Sequence, residues 1–482
     1  MTAPQSTALE TWFAAQGWEP APFQRAAWAA HARGESGLIH SATGSGKTLA
    51  AWGGALLEGL AADSVDAAQP GIRVLWITPL RALAGDTVRS LSTAAAGVGL
   101  DWRVEKRTGD TPGSTRQRQR RRPPQALVTT PESLSLLLSY ADVDRTFRQL
   151  GTVIVDEWHE LLGSKRGVQL ELCLARLRRL APGLRTWGLS ATLGNLDEAM
   201  AALLGEGHAQ GRLISGAAAR PLRIEALFPP AATRFPWAGH LGTQLIDGVI
   251  AHLEQPGSCL LFTNTRAQAE LWFESLLRAR SDWLEGLGLH HGSIDRSLRE
   301  RIEAGLAAGD FRCVVATSSL DLGVDFSPVD RVIQVGSPKG VARLAQRAGR
   351  CGHQPDGESG VLCVPTHALE LVEIAAARRA WAEGVMEARH PLRLCLDVLA
   401  QHLVTVALGG GFEPHRMFDE VRATNAFERL DETQWRWVLD FITRGGPALK
   451  AYPGFRRVSE HEGVFKVRDR RIAAMHRMSI GT

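Results

Sequence analysis

The chain has 482 residues, too many for one compact core, so two or three domains are expected. An apolar share of 44% and a charged share of 22% are ordinary globular values and exclude a disordered, collagenous or coiled-coil chain. The formal charge is only +4, no run approaches eighteen apolar residues, and the first thirty residues hold no signal-like apolar stretch; a cytoplasmic protein with no membrane span is expected.

Leu38–His40 is the first predicted strand, followed by Ser-Ala-Thr-Gly-Ser-Gly-Lys-Thr at 41–48 and an Ala-rich helix. Val74–Thr78, Leu127–Thr130, Thr152–Asp156 and Thr186–Ser190 are further short β-rich runs. A Gly/Ala/Pro-rich stretch from about Gly205 to Pro236 reads as a seam between domains. Beyond it, Cys259–Thr263, Cys313–Thr317, Val332–Val335 and Val361–Val364 alternate with helical patterns such as Ala267–Leu277 and Leu298–Leu306. This alternation predicts parallel sheets covered by helices on both faces. After His390 the pattern changes to three helices (Arg393–Leu408, Pro414–Thr424, Glu432–Thr443) and a hairpin over Phe455–Val467, which is a winged-helix pattern. Gly445 and Gly446 stand where the third helix should stop. The expected fold is therefore α/β, with parallel-sheet domains at 1–215 and 216–388 and a winged-helix domain at 389–482.

The run at 41–48 has the strand–loop–helix setting of a phosphate loop. Gly44 and Gly46 let backbone N–H groups curl around an anion at a helix N-terminus. Lys47 would neutralise the β- and γ-phosphates and Thr48 would give its hydroxyl to Mg²⁺. The strict motif has glycine where this chain has Ser41. Thr152-Val-Ile-Val-Asp-Glu-Trp-His159 ends a buried strand in adjacent carboxylates, at the edge where ligands of parallel sheets bind. Asp156 can hold Mg²⁺ through water and Glu157 can act as general base on the attacking water.

In the second half, Arg347 and Arg350 are spaced i, i+3 and share a helix face. An arginine delivered across a cleft stabilises charge on a transferring phosphate and makes hydrolysis conditional on closure. Only six of the 55 cations are lysine, so 49 are arginine, which suits phosphate recognition; a genomic base bias gives the same excess. The six cysteines form no C-x-x-C pair, and neither His159 nor His353 has partners at metal-ligand spacing, so free thiols and a nucleotide-borne Mg²⁺ alone are expected.

In their order, these motifs resemble those of superfamily 2 helicases of the DExH type over nearly the whole chain. Gly17-Trp-Glu-Pro-Ala-Pro-Phe-Gln24 resembles the Q motif, implying Gln24 as the adenine contact. Thr43–Thr48 resembles motif I, which adds Thr43 and Ser45 to the nucleotide contacts, and Thr78-Pro-Leu-Arg-Ala-Leu83 resembles motif Ia. Thr108-Gly-Asp110 and Thr129-Thr-Pro-Glu-Ser133 resemble the next strand-contacting motifs, and Ser190-Ala-Thr192 resembles the coupling motif. Phe262-Thr-Asn-Thr-Arg266 resembles motif IV, Ala316–Asp325 motif V, and Gln346–His353 motif VI. The runs at 156–167 and 346–353 are similar to the Lhr-type group, its nearest branch being the ligase-associated DEXH-box DNA helicase.

The resemblance implies two RecA-like domains, ATP with Mg²⁺, and 3′-to-5′ movement on single-stranded DNA with a 3′ tail, opening DNA or RNA–DNA duplexes in repair beside proteins such as a ligase. It implies Gly323 and Asp325 as further nucleotide contacts, and His159, Ser190, Thr192, Gln346 and His353 as couplers. Thr78, Arg81, Gly109, Thr129, Thr130, Thr263, Arg266 and Thr317 become candidate strand contacts. Trp435 or Trp437 could stack on a base, but at i, i+2 they point in different directions, so one belongs to the core. The run Arg116–Arg122 is either a backbone contact or a solvated helix face. Family chains continue beyond Thr482, so a truncated core is expected. Two other readings stand beside the DNA motor: an RNA remodeller, because phosphate tracking does not see the 2′-OH, and a non-catalytic DNA-binding scaffold. The intact set Lys47, Asp156, Glu157, Arg347 and Arg350 argues against the scaffold.

Overall fold

The computed structural model describes residues 3–62, 71–216, 221–229, 242–321, 329–351, 359–445 and 457–480. A first parallel sheet is built from β1 (Gly37–His40), β2 (Val74–Ile77), β3 (Val104–Arg107), β4 (Ala126–Thr129), β5 (Thr152–Val155), β6 (Arg185–Ser190) and β7 (Arg212–Ser215). Its spatial order is β3-β4-β2-β5-β6-β1-β7. The sheet is buried on both faces because successive side chains enter different cores. Val74 and Trp76 join one apolar cluster, Leu75 and Ile77 the other.

A second parallel sheet uses β8 (Leu222–Ala226), β9 (Cys259–Phe262), β10 (Leu287–His290), β11 (Cys313–Ala316), β12 (Arg331–Val335) and β13 (Ser359–Val364), in the order β10-β11-β9-β12-β13-β8. Leu260 and Phe262 face one core, Cys259 and Leu261 the other. The seam between the sheets is less irregular than its composition suggests, since β7 and β8 both lie within or beside it as edge strands.

The third unit holds helices Leu396–Leu408, Pro414–Arg422 and Glu432–Arg444, then the antiparallel hairpin β14 (Ser459–His461) and β15 (Val464–Lys466). Asp431 and Gln434 form a reciprocal capping box at the start of the third helix, and Gly445 ends it with φ +78°. Gly446 and the first residues of the predicted hairpin lie outside the described residues. A fourth helix, Arg470–Ser479, was not anticipated. Two RecA-like parallel-sheet domains followed by a winged helix are thus the observed architecture. No helix among the described residues is long and apolar enough to cross a membrane, and all six cysteines are free.

Candidate active site

Strand order assembles the site. β5, β6 and β1 are neighbours, so their carboxyl ends bring together the loop at 41–46, the Asp156–Glu157 pair and Ser190. The loop turns through Gly44 and Gly46 at φ +74° and +89° and delivers Lys47 as the first residue of helix Lys47–Ala62. Lys47 is buried and folds back on its own loop, its Nζ donating to the carbonyls of Ser41 at 2.8 Å and Ala42 at 2.7 Å. Burial lowers the pKa of this ammonium, and the charges of Glu157 and Asp156 oppose that shift. Thr43 is exposed at the loop rim, and Ser45 and Thr48 are half-buried. Gln24, expected at the base, is also a brace: its Oε1 accepts from Ala21 N at 2.8 Å and its Nε2 donates to Gly46 O at 3.0 Å.

Asp156 continues the β2–β5 ladder, its N–H donating to Ile77 O at 2.8 Å. Its carboxylate accepts from Trp76 Nε1 at 3.3 Å and from Glu157 N at 3.0 Å. Glu157 takes a left-handed backbone, φ +44° and ψ +47°, which in a non-glycine residue stores about 1–3 kcal/mol of strain. Burial first, and the neighbouring Glu157 charge second, push the Asp156 carboxyl up to about 7. Burial raises Glu157 as well, against the pull of Lys47 and Arg350. Two sequestered carboxyls beside one ammonium, with Glu157 Oε2 accepting no hydrogen bond, fit a hard divalent cation of the Mg²⁺ kind arriving with phosphate.

His159 sits fully buried below the pair, and burial holds its imidazole down at about 3, so it is neutral. Gln346 reaches it from the second sheet domain, Nε2 donating to His159 Nε2 at 2.5 Å and lying 3.4 Å from Thr192 Oγ1. With its Nε2 accepting, His159 carries its proton on Nδ1, which faces Ser190 Oγ at 3.3 Å and Glu157 Oε2 at 3.5 Å. Four of the five expected couplers thus meet across the cleft; His353, with Gly323 and Asp325, lies outside the described residues.

The two arginines, both expected at the phosphate, part company in this structure. Arg347 is buried in its own domain, paired to Asp321 (Nε–Oδ1 2.7 Å, Nη2–Oδ2 3.1 Å), bonded to Gln334 and lying 4.7 Å over the Phe262 ring. This guanidinium spends three of its five donors inside its own domain and so anchors the helix Val341–Ala348. Arg350 instead follows the turn at Gly349, where an added Cβ would lie 3.7 Å from Thr43 of the phosphate loop. Its charge is felt at Glu157. Asp321 was missed as an anchor although it lies inside the run that resembles motif V.

A cleft of about 330 Å³ opens between the lobes beside Gln346, lined by Pro79, Leu80 and Arg166 of the first and Arg266, Thr317 and Arg343 of the second. The hydroxyls of Thr78, Thr129 and Thr263, expected at the strand, are engaged within the protein in this structure. All three residues are fully buried and donate to backbone carbonyls, those of Leu80, Arg107 and Thr265. Thr130 caps helix Pro131–Leu138 through Ser133 N at 3.4 Å. Arg81 lies over Gly109, where a Cβ would meet its Cζ at 2.8 Å, and pairs with Asp110 at 3.2 Å. Arg266 bonds Ser293 at the cleft rim. Much of the run 116–122 is spent internally, Arg118 on Glu105 and Arg120 on Asp142 and the Tyr140 ring. Trp435 is core, packed on Phe418, so it cannot stack on a base. Trp437 is exposed and stacks on Phe441, rings 5.6 Å apart.

Comparison with known proteins agrees with this assembly. The DEAD/DEAH box helicase model matches residues 21–199, and the helicase conserved C-terminal domain matches 242–354. The winged helix domain of the large helicase-related protein matches 379–482. The chain belongs to the Lhr-type helicases. The ATP-dependent helicase Lhr-Core of Methanocaldococcus jannaschii is 31% identical over 484 residues, covering 98% of this chain and 56% of the relative. The Lhr helicase/uracil glycosylase of Escherichia coli is 33% identical over 505 residues, covering 92% of this chain and 32% of its own length. The solved structure of Mycobacterium smegmatis helicase Lhr bound to ssDNA and AMP-PNP superposes with a TM-score of 0.84 at 32% identity, over 98% of this chain and 62% of that one. This chain therefore spans about half of the Lhr-Core relative's length.

Proposed function

We propose that this chain is an ATP-hydrolysing motor that moves 3′-to-5′ along single-stranded DNA and opens DNA or RNA–DNA duplexes from a 3′ tail. The observation that carries the reading is the contact of Gln346 with His159 across the cleft, beside Asp156 and Glu157 and with Arg350 approaching from the second lobe. A triphosphate would lie against the N–H groups of the loop, with Lys47 released from Ser41 and Ala42 to its phosphates. Glu157, whose carboxyl burial raises against the pull of Lys47 and Arg350, would take the proton of the attacking water once ionised. Arg350 would stabilise charge on the transferred phosphoryl group, and only with the lobes shut. Thr48 and Asp156 are the residues that would hold Mg²⁺, whose chemistry is to draw charge from phosphate oxygens. His159, neutral and touching Glu157, Ser190 and Gln346, would report on the γ-phosphate to both lobes.

The solved relative was bound to single-stranded DNA and AMP-PNP, which supports a strand path and a nucleotide site on the same framework. A repair setting, a ligase partner, a cytoplasmic location and a domain division near residues 215 and 388 belong to the same proposal. Strand displacement on 3′-tailed and 5′-tailed duplexes tests it. Displacement of the 3′-tailed duplex alone is expected; displacement of the 5′-tailed duplex alone reverses the polarity. Absence of strand-stimulated phosphate release contradicts the motor.

A further inference from the structure

The connector leaving the second lobe runs from helix Ala368–Ala382 through residues 385–390 and passes the active site on its way to the winged helix. Two of its side chains hold opposite lobes. Glu387 accepts from the backbone N–H groups of Val341 and, at 3.0 Å, Ala342, closing the N-terminus of the helix that carries Gln346 and Arg347 and leads into Arg350. A carboxylate at that position satisfies two donors the helix cannot and complements its dipole. Gly340, at φ +129°, makes room for it; an added Cβ would come within 2.9 Å of Glu387 Oε1.

Two residues later the same chain grips the first lobe. Arg389 Nη1 donates to His159 O at 2.8 Å, and its Nη2 donates to Glu160 Oε1 at 3.3 Å. Asn195 clasps its backbone in a reciprocal pair, Nδ2 to Arg389 O at 3.1 Å and Arg389 N to Oδ1 at 2.9 Å. Gly194 N donates to Glu387 O at 3.3 Å, and a Cβ on Gly194 would strike Met386 O at 2.5 Å. The fastening points flank His159 on one side and follow Ser190–Thr192 on the other.

We propose that Glu387 and Arg389 are positioning residues that couple nucleotide state to lobe closure. The strap ties the helix leading to Arg350 to the backbone of the histidine that touches Glu157, so that both are set together when the cleft shuts. Opening must break one grip, which makes the strap a two-state contact and not a passive linker. The inference rests on the motor reading for its turnover readout, while its geometry stands apart from that reading.

Substitution with turnover, strand affinity and amide exchange measured together tests it. Glu387→Ala is expected to lower strand-stimulated kcat about five- to tenfold and to shrink the difference in single-strand affinity between the AMP-PNP and ADP states. Glu387→Gln, which keeps an acceptor oxygen, should recover part of both. Hydrogen exchange at Val341 and Ala342 should quicken in Glu387→Ala, and AMP-PNP should slow it in the parent protein but not in the variant. Exchange follows the strap even if the parent protein shows no strand-stimulated turnover, an outcome that would contradict the motor reading alone. An unchanged nucleotide-dependent affinity ratio with a lowered Tm would make Glu387 a structural cap only and overturn the coupling. Exchange at the two amides that ignores AMP-PNP in the parent protein would do the same.

Discussion

The first lobe has two neighbours, and it holds them in opposite ways. Against the winged helix the contact is a shared core. Val168 and Leu172 of helix Lys165–Leu180 are buried in the same apolar cluster as Leu399, Leu403 and Phe427. The backbones meet closely: a Cβ on Gly409 would lie 2.2 Å from Leu138 O, and one on Gly205 2.1 Å from Ala423 O. Polar links reinforce it, half-buried Arg176 with Glu420 at 3.2 Å and buried Glu171 accepting from Ala426 N at 2.8 Å. Against the second lobe the described contacts are polar and lie around a cleft, chiefly Gln346 on His159 and Thr192. Close-packed cores do not deform continuously, whereas a polar seam can be broken and remade cheaply. The wing should therefore travel with the first lobe while the second lobe moves.

The sharpest way to break this contrast is at the moving seam. Arg350→Ala should cut turnover by about 10³-fold or more with a much smaller change in nucleotide affinity, read by phosphate release and equilibrium binding. Equal losses in both would deny Arg350 a role at the transition state. Glu157→Gln should lower turnover by about 10²–10⁴-fold while nucleotide still binds, and normal turnover would remove Glu157 as the base.

Arg347→Ala should act on stability before chemistry. Among the described residues it leaves the buried Asp321 carboxylate with only the longer Arg343 contact at 3.6 Å and costs about 3–5 kcal/mol, visible in denaturant unfolding of the second lobe. A stable variant that has lost only turnover would place Arg347 in the catalytic set.

The rigid side offers smaller effects. Leu172→Ala should cost about 2–5 kcal/mol and shift the unfolding of the first lobe and the wing together; two separated transitions would deny the shared core. Glu171 adds a pH signature. Burial raises its carboxyl to about 8, well above an unfolded carboxylate, so the folded state keeps a proton that the unfolded state releases. Its contribution is most favourable below the unfolded pKa, near 4.5, and declines as pH rises towards 8. Glu171→Gln should flatten that decline in Tm across the window, and an unchanged slope would mean Glu171 does not titrate on unfolding.

Central strands were legible because double burial makes them short apolar runs, as at Val74–Ile77 and Cys259–Phe262. The four strands that sequence reading passed over, β3, β7, β8 and β10, are the four sheet edges. Edges carry polar or mixed residues, such as Val-Glu-Lys-Arg at 104–107, and lose the apolar signature. The phosphate loop and the acid pair were legible because their chemistry is local in sequence. The separation of Arg347 from Arg350 was not legible because i, i+3 spacing predicts a shared face for an ideal helix, whereas Arg350 lies just past the helix end at Gly349. The internal partners of buried threonines such as Thr129 and Thr263 were not legible because the carbonyls they donate to are set by the fold. Glu387 and Arg389 were invisible because their partners lie 46 and 230 residues away.

Paired distance labels on the first lobe, the second lobe and the wing, followed with and without AMP-PNP and single-stranded DNA, test the central claim most directly. The distance between the lobes should shorten and narrow when both ligands are present, while the distance from first lobe to wing stays fixed. A wing that moves against the first lobe, or lobes whose separation ignores both ligands, would contradict the account.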